Sequence, residues 1–174
     1  MARNILSTLK AEHDALRELF KKMEGTTDRA EKGRVELMER IEKQLIPHSK
    51  WEESVFYPAF AERADRDGLK THAEALLEHS AVENSVLPSI EEAEPNTPEF
   101  AGRAKVLADL VDHHATEEEK TMFKMVRQLF TAEELARFDE DYENWKDSPA
   151  ADTAMMQAKA KAGIKATAGK FLGH

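Results

Sequence analysis

The sequence contains no cysteine. That removes disulfides, thiolate nucleophiles, Cys-ligated zinc and iron–sulfur clusters together. Aromatic residues are only 7% of the chain, β-branched residues are sparse, and apolar residues never alternate over a sustained stretch, so nothing reads as a strand. No apolar run approaches the roughly 18 residues of a membrane span. The first residues mix charged and apolar side chains instead of forming the apolar segment of a secretion signal. No membrane association and a cytoplasmic location are therefore expected. Acids outnumber bases 34 to 25, for a net charge of −9 over 174 residues, which gives no general electrostatic footprint for nucleic acid. What is there is an acidic chain, 41% hydrophobic, able to bury a core. Seven His and the carboxylates are its strong metal-binding and acid–base groups.

Apolar residues recur at intervals of three and four, the period of a helix. The first stripe is Leu6, Leu9, His13, Leu16, Phe20 and Met23, stopping near Gly25. Thr27 or Asp28 can cap a second helix, whose stripe reads Leu37, Ile41, Leu45, His48, Glu52, Val55 and Ala59. Pro47 interrupts that pattern and should kink it near Lys43. The third stripe is His72, Leu76, His79, Glu83, Val86 and Ile90. Residues 94–99 form a linker, with Thr97 as N-cap and Pro98 at the first helical position. The fourth stripe is Leu107, Leu110, His114, Glu118, Met122, Met125 and Leu129. A capping box from Thr131 to Glu134 opens a short fifth helix, which Tyr142 and Trp145 can fold back.

The expected fold is all-α: an antiparallel up-down-up-down four-helix bundle over residues 1–147, including the short fifth helix. An Ala/Lys-rich C-terminal tail, residues 148–174, follows as a disordered segment or a docked helix. The tail carries one Asp and four Lys, a charge of +3, which leaves −12 on residues 1–147. Met155, Met156, Ile164 and Phe171 allow it to dock. No internal repeat of fixed period is read from the chain.

Each stripe contains residues foreign to an apolar core. The first offers His13, the second His48 and Glu52, the third His79 and Glu83, the fourth His114 and Glu118. The last three pairs are spaced i, i+4, which puts both side chains on one helix face. One such His would ordinarily be a hydrogen-bonded core residue, and one such pair a surface pair. Recurrence on four consecutive helices weakens both readings. A buried carboxylate costs several kcal/mol unless paired, and no Lys or Arg lies on these stripes opposite Glu52 or Glu118. Imidazole with carboxylate suits iron, manganese or zinc, and about six ligands suit two ions better than one. Ferritin-like iron oxidation fits less well, because its Glu-x-x-His spacing is three.

The segments from His48 to Pro58 and from His114 to Phe123 share one form: His, three residues, Glu-Glu, two residues, two large apolar residues. With Glu12-His13 and Glu78-His79 in the first and third helices, this resembles the hemerythrin-like family, the His-His-Glu cation-binding domain, over residues 4–145. The resemblance implies a four-helix bundle holding two non-haem iron ions with an oxo or hydroxo bridge. It carries the ligand roles to His13, His48, Glu52, His79, His114 and Glu118, with Glu52 and Glu118 bridging. Oxygen-carrying members have a second His one turn before the His79 position, where this chain has Ala75; Glu83 or water then completes that ion. A register pairing His113 with Glu118, or His114 with Glu119, is also open, but His114 with Glu118 matches the second helix. The function expected is binding or sensing of dioxygen, peroxide or nitric oxide, with peroxide decomposition and iron handling as further options. The alternative is a non-catalytic helical interaction or regulatory module with a structural metal or none.

Overall fold

A computed structural model describes residues 3–172, with side chains through residue 160; His174 and the side chains of Ile164 and Phe171 lie outside the described residues. The first helix, α1 (Ile5–Glu24), is capped by Asn4, whose side chain accepts from the Ser7 N–H. Helix α2 (Glu31–Trp51) has Ala30 at its N-cap and no side-chain cap, because Asp28 is drawn instead to Arg34, 3.1 Å away. It runs unbroken through Lys43 and Pro47. The third span is α4 (Arg66–Ala81), and the fourth is α6 (Pro98–Glu117), capped by Thr97 as the sequence predicts. These four spans form the all-helical antiparallel bundle.

Three of the spans do not end as α-helices. After α2, Glu52–Phe56 forms a π turn, in which the Tyr57 N–H bonds to the Glu52 carbonyl five residues back. The same occurs at Val82–Val86 and at Glu118–Met122, where the Phe123 N–H reaches the Glu118 carbonyl. Each turn then resumes as a short helix: α3 (Tyr57–Arg63), α5 (Leu87–Glu92) and α7 (Phe123–Leu129). A π turn accommodates one extra residue and rotates everything after it. The sequence stripes are therefore corrected by one position. Phe56, Tyr57 and Phe60 are buried, and Val55 and Ala59 are only partly so; likewise Phe123 and Val126 are buried, and Met125 and Leu129 only partly.

The core falls into two apolar clusters. One holds Leu16, Phe20, Ile41, Leu45, Leu107 and Val111. The other holds Leu9, Trp51, Phe56, Tyr57, Met122 and Phe123. Between them every span contributes one His: His13 between Leu9 and Leu16, His48 between Leu45 and Trp51, His79 between Ala75 and Val82, His114 between Val111 and Met122. The capping box at Thr131 opens α8 (Ala132–Lys146), which lies against α1 and α2 with Leu135 and Tyr142 buried. Helix α9 (Pro149–Leu172) lies along α2 and α5, burying Ala151 and Ala158, with Lys159 3.3 Å from Glu42.

At the far end of the bundle, the buried Arg34 guanidinium donates to the carbonyls of Pro95 (2.7 Å) and Thr97 (3.2 Å), to Thr26 Oγ1 (2.8 Å) and to Asp28 (3.1 Å). It joins the α1–α2 loop to the linker before α6. Arg34→Met keeps the apolar stem but strands these acceptors. The expected loss is about 2–4 kcal/mol, or roughly 5–15 °C in the melting midpoint for a chain of this size. A thermal melt within a degree of wild type would show that the clamp is dispensable.

Candidate metal centre

The π turns start at Glu52 and Glu118, so the two buried carboxylates sit where helix geometry changes. Together with the four His they occupy the layer between the apolar clusters. His13, His48, Glu52 and Glu118 place one ligand atom each within 4.8 Å of one another. Glu52, His79 and His114 form a second such group, and Glu52 belongs to both. All six are buried. His114 faces inward with Glu118, while His113 is 62% exposed at the side chain and 3.4 Å from Glu78. The structure does not bring Glu83 into either group: its carboxylate pairs with Lys50. His72 packs edge-on against the Tyr57 ring, with centroids 6.1 Å apart.

The imidazoles are held from outside by a second set of carboxylates; the sequence reading has Glu53 and Glu119 either solvated or set behind the ligands, and gives Glu12 and Glu78 no contact. Nδ1 of His48 faces Glu12 at 2.8 Å, and Nδ1 of His114 faces Glu78 at 2.8 Å. Nδ1 of His79 faces Glu53 at 3.1 Å, and Nδ1 of His13 faces Glu119 at 3.1 Å. An ionised carboxylate only accepts, so each Nδ1 carries a proton and Nε2 is the nitrogen turned inward, free to present a lone pair once the ring is neutral. Four of four imidazoles oriented in this way is the arrangement that fixes ring angle and tautomer at metal sites. A signal existed: each of these acids is adjacent in sequence to a residue already singled out.

The inward atoms are short of partners. Nε2 of His13 and His48 lie 3.2 Å apart, and those of His79 and His114 lie 3.0 Å apart. Lone pairs at that separation repel unless a proton or a cation lies between them. Glu52 Oε1 and Glu118 Oε2 are buried and accept no hydrogen bond, although the His48 and His13 Nε2 atoms are 3.1 and 3.3 Å away. Buried carboxylate oxygens without donors are costly. Orphaned oxygens and converging imidazole nitrogens together are what a pair of cations would satisfy, so the donor set fits metal.

Without metal, the buried charges lean on one another. Burial opposes the charge on Glu118, yet His114, His13 and His48 hold it well below the usual carboxylate range. Burial likewise opposes charge on His48, but Glu52 and Glu12 raise it well above an ordinary His, and Glu118 and Glu78 raise His114. Burial also works against Glu12, yet hydrogen bonds from His48, Tyr142 (2.6 Å) and Lys146 (3.0 Å) bring it down to about 2. Through this contact α8 buttresses His48. Glu12→Gln keeps the shape but makes a weaker acceptor, and metal affinity should fall about 10–100-fold, read by competition with a chromophoric chelator. Unchanged affinity would mean that Glu12 is only a surface acid.

The sequence reading takes Tyr57 first as packing around the site and second as a residue able to approach a metal; the π turn rotates it into the site. Its hydroxyl donates to Glu118 Oε1 at 2.8 Å and lies 3.3 and 3.4 Å from Nε2 of His114 and His79. Burial and the Glu118 and Glu52 charges raise its pKa well above an ordinary Tyr. A cavity of about 20 Å³, walled by Leu16, Leu45, Val82 and Val111, adjoins the four imidazoles on the opposite side.

The layout also corrects the sequence reading that finds no repeat. Glu12, His13, His48, Glu52 and Glu53 recur 66 positions later as Glu78, His79, His114, Glu118 and Glu119. The π turn at Glu52–Phe56 recurs at Glu118–Met122 with the same offset, and α3 recurs as α7. The contacts repeat too: His13–Glu119 answers His79–Glu53, and His48–Glu12 answers His114–Glu78. The centre thus lies on an approximate two-fold axis. The halves differ at Tyr57, whose counterpart Phe123 stacks on His13, with centroids 6.2 Å apart. Apolar identities drift so far between halves that only the ligand and acceptor positions preserve the repeat.

Comparison with known proteins gives three findings. A family model described as Hemerythrin HHE cation binding domain matches residues 4–126. A solved structure of a hemerythrin HHE cation binding domain-containing protein from Mycobacterium kansasii is similar in fold, with a TM-score of 0.72 and 21% identity, covering 90% of this chain and 99% of that one. A Nostoc protein named DNA nickase is 26% identical over 142 residues, 80% of this chain and 38% of that protein.

Proposed function

We propose, for a chain that belongs to the hemerythrin HHE cation-binding domain family, that it holds two non-haem iron ions and uses them to bind or sense dioxygen, peroxide or nitric oxide. The observation that carries this reading is that Glu52 belongs to both ligand groups, which makes one buried carboxylate the shared member of two adjacent sites. His13, His48 and Glu118 would complete one position, and His79, His114 and Tyr57 the other, with Glu118 close to both. Glu83, already paired with Lys50, would reach the second ion only by leaving that partner. The ions would supply a redox-active, electron-accepting centre for a small diatomic or peroxidic ligand. The protein's own residues do the rest. Glu12, Glu53, Glu78 and Glu119 fix the imidazoles, the two apolar clusters exclude bulk water, and Tyr57 holds a proton against Glu118.

The Nostoc protein's name describes that protein, of which this chain spans 38%. A net charge of −9 speaks against a phosphate-backbone partner here. Membership in the family leaves the reaction open, and measurement decides it. Purified protein should contain close to two irons and show a near-ultraviolet charge-transfer band that changes with peroxide or nitric oxide. Metal-free protein that folds normally would refute the reading, and iron inert to all three ligands would favour a structural metal in an interaction module. Uptake should also release protons, because His48 and His114 have raised pKa values. Affinity should fall as pH drops below those values, since protons then compete for the same nitrogens.

A further inference from the structure

The two-fold relation exposes a difference between the halves. A cleft of about 390 Å³ opens between α4, α6 and the Glu118 π turn, and its floor includes His114 and Glu118. Its walls are Thr71, Ala75, Glu117 and Met122, with Lys70 and Glu74 at its side. The positions 66 earlier are Ile5, Leu9, Trp51 and Phe56, which are at most 1% exposed. Helix α8 lies over them: Tyr142 packs on Trp51 with centroids 4.7 Å apart, and Asp139 accepts from Thr8. One half is therefore filled by large side chains and covered by a helix. The matching place in the other half has small or polar residues and stays open.

We infer that this cleft is the route by which a small, uncharged, polar molecule reaches the His79–His114 side of the centre, and that Ala75 sets its bore. The inference rests on the functional reading above only for what the molecule meets at the end. A volume of 390 Å³ admits several waters at about 30 Å³ each, so a molecule of peroxide size passes. The carboxylates of Glu74, Glu78 and Glu117 oppose anions there, and Lys70, 3.5 Å from Glu74, offsets only part of that charge. Ala75 is the narrowing residue because its counterpart is Leu9. A Leu at 75 would restore in the open half the side chain that helps fill the other.

Met122 reports on access without any redox metal. It lines the cleft but is 0% exposed, cleft surface included, so peroxide reaches its sulfur only past Thr71 and Ala75, whereas Met38 is 6% exposed and lies in the other cluster. The full-length chain loaded with zinc is treated with hydrogen peroxide, and peptide mass spectrometry follows both methionines. Each sulfoxide forms by transfer of one oxygen from peroxide to the thioether sulfur, with release of water. Met122 should oxidise measurably in the folded wild type despite its burial, and Ala75→Leu or Thr71→Ile should slow it about tenfold while leaving Met38 unchanged. Met122 that stays unoxidised in the wild type while Met38 is fully converted overturns the route, whether or not the variants fold. Unchanged Met122 oxidation in a folded Ala75→Leu protein overturns the role of Ala75. A second arm follows the iron-loaded chain's response to peroxide. If the zinc arm gives the expected ratios and the iron arm is silent, the route stands and the functional reading falls.

Discussion

Replacing Glu52 with alanine should take the metal content of the purified protein from about two ions per chain to well below one. Glu52 is the member common to both ligand groups, so its loss damages both positions at once. Glu118→Ala should be milder, because Glu52, His79 and His114 remain as a set. The stability consequence is large and conditional on metal. Removing one partner from a buried charge cluster costs about 3–5 kcal/mol, and each kcal/mol moves the midpoint of a chain this size by roughly 2–4 °C. The metal-loaded wild type should therefore melt about 10–15 °C above Glu52→Ala measured in the same iron-containing buffer. After exhaustive chelation the two should converge. Two ions retained in Glu52→Ala, by inductively coupled plasma mass spectrometry, would show that the two groups do not share this carboxylate.

A chain ending at Phe130 should fail to fold, even though it contains all of residues 4–126 matched by the family model. Helix α8 buries Leu135 and Tyr142, packs Phe138 against Trp51, Phe56 and Phe130, and sets Trp145 partly buried against the same cluster. Such side chains contribute about 1.5–3 kcal/mol each. The two fully buried ones amount to about 3–6 kcal/mol and the two partly buried aromatics add to that, a sum comparable with the roughly 5–15 kcal/mol that holds a whole domain together. The same truncation strips Glu12 of Tyr142 and Lys146, so His48 loses its support as well. Circular dichroism should show low helicity and no cooperative melt. A chain ending at Lys146 is the contrast. It keeps α8 and loses only α9, whose buried described residues are Ala151 and Ala158, and it should melt cooperatively. A cooperative transition in the Phe130 chain would mean that α8 is an accessory.

The bundle and the six inward His and Glu residues could be read from the sequence for one reason. A helix repeats every 3.6 residues, and polar groups that violate its apolar stripe are conspicuous against that period. His48 with Glu52 and His114 with Glu118 stand out in this way, and the structure groups them with His13 and His79. The reading loses its grip where the period itself changes. One extra residue in each π turn shifts the stripe, so the period places Val55 where Phe56 sits and puts Tyr57 first among the packing residues, with approach to a metal only the lesser reading. No local propensity announces such a turn: Pro58 and Pro88 follow two of them, but Lys124 follows the third. Which imidazole each of Glu12, Glu53, Glu78 and Glu119 supports is not legible for a different reason. Each touches an imidazole on a neighbouring helix, and a spacing rule within one helix does not see across to another. Arg34 belongs with them, since its partners Pro95 and Thr97 lie more than sixty residues away.

The near-symmetry of the centre also has a thermodynamic side. The first half of the chain supplies His13, His48 and Glu52 to one position, but Glu118 comes from the second half, and Glu119 from that half steadies His13. The second half supplies His79 and His114 and borrows Glu52, with Glu53 steadying His79. Neither half owns a complete coordination set, so an incoming ion would act as a clasp between two halves that cross-brace each other. Once the first ion has drawn them together, the ordering needed by the second has already been done. Loading should then be positively cooperative, with singly occupied chains scarce at half saturation in native mass spectra.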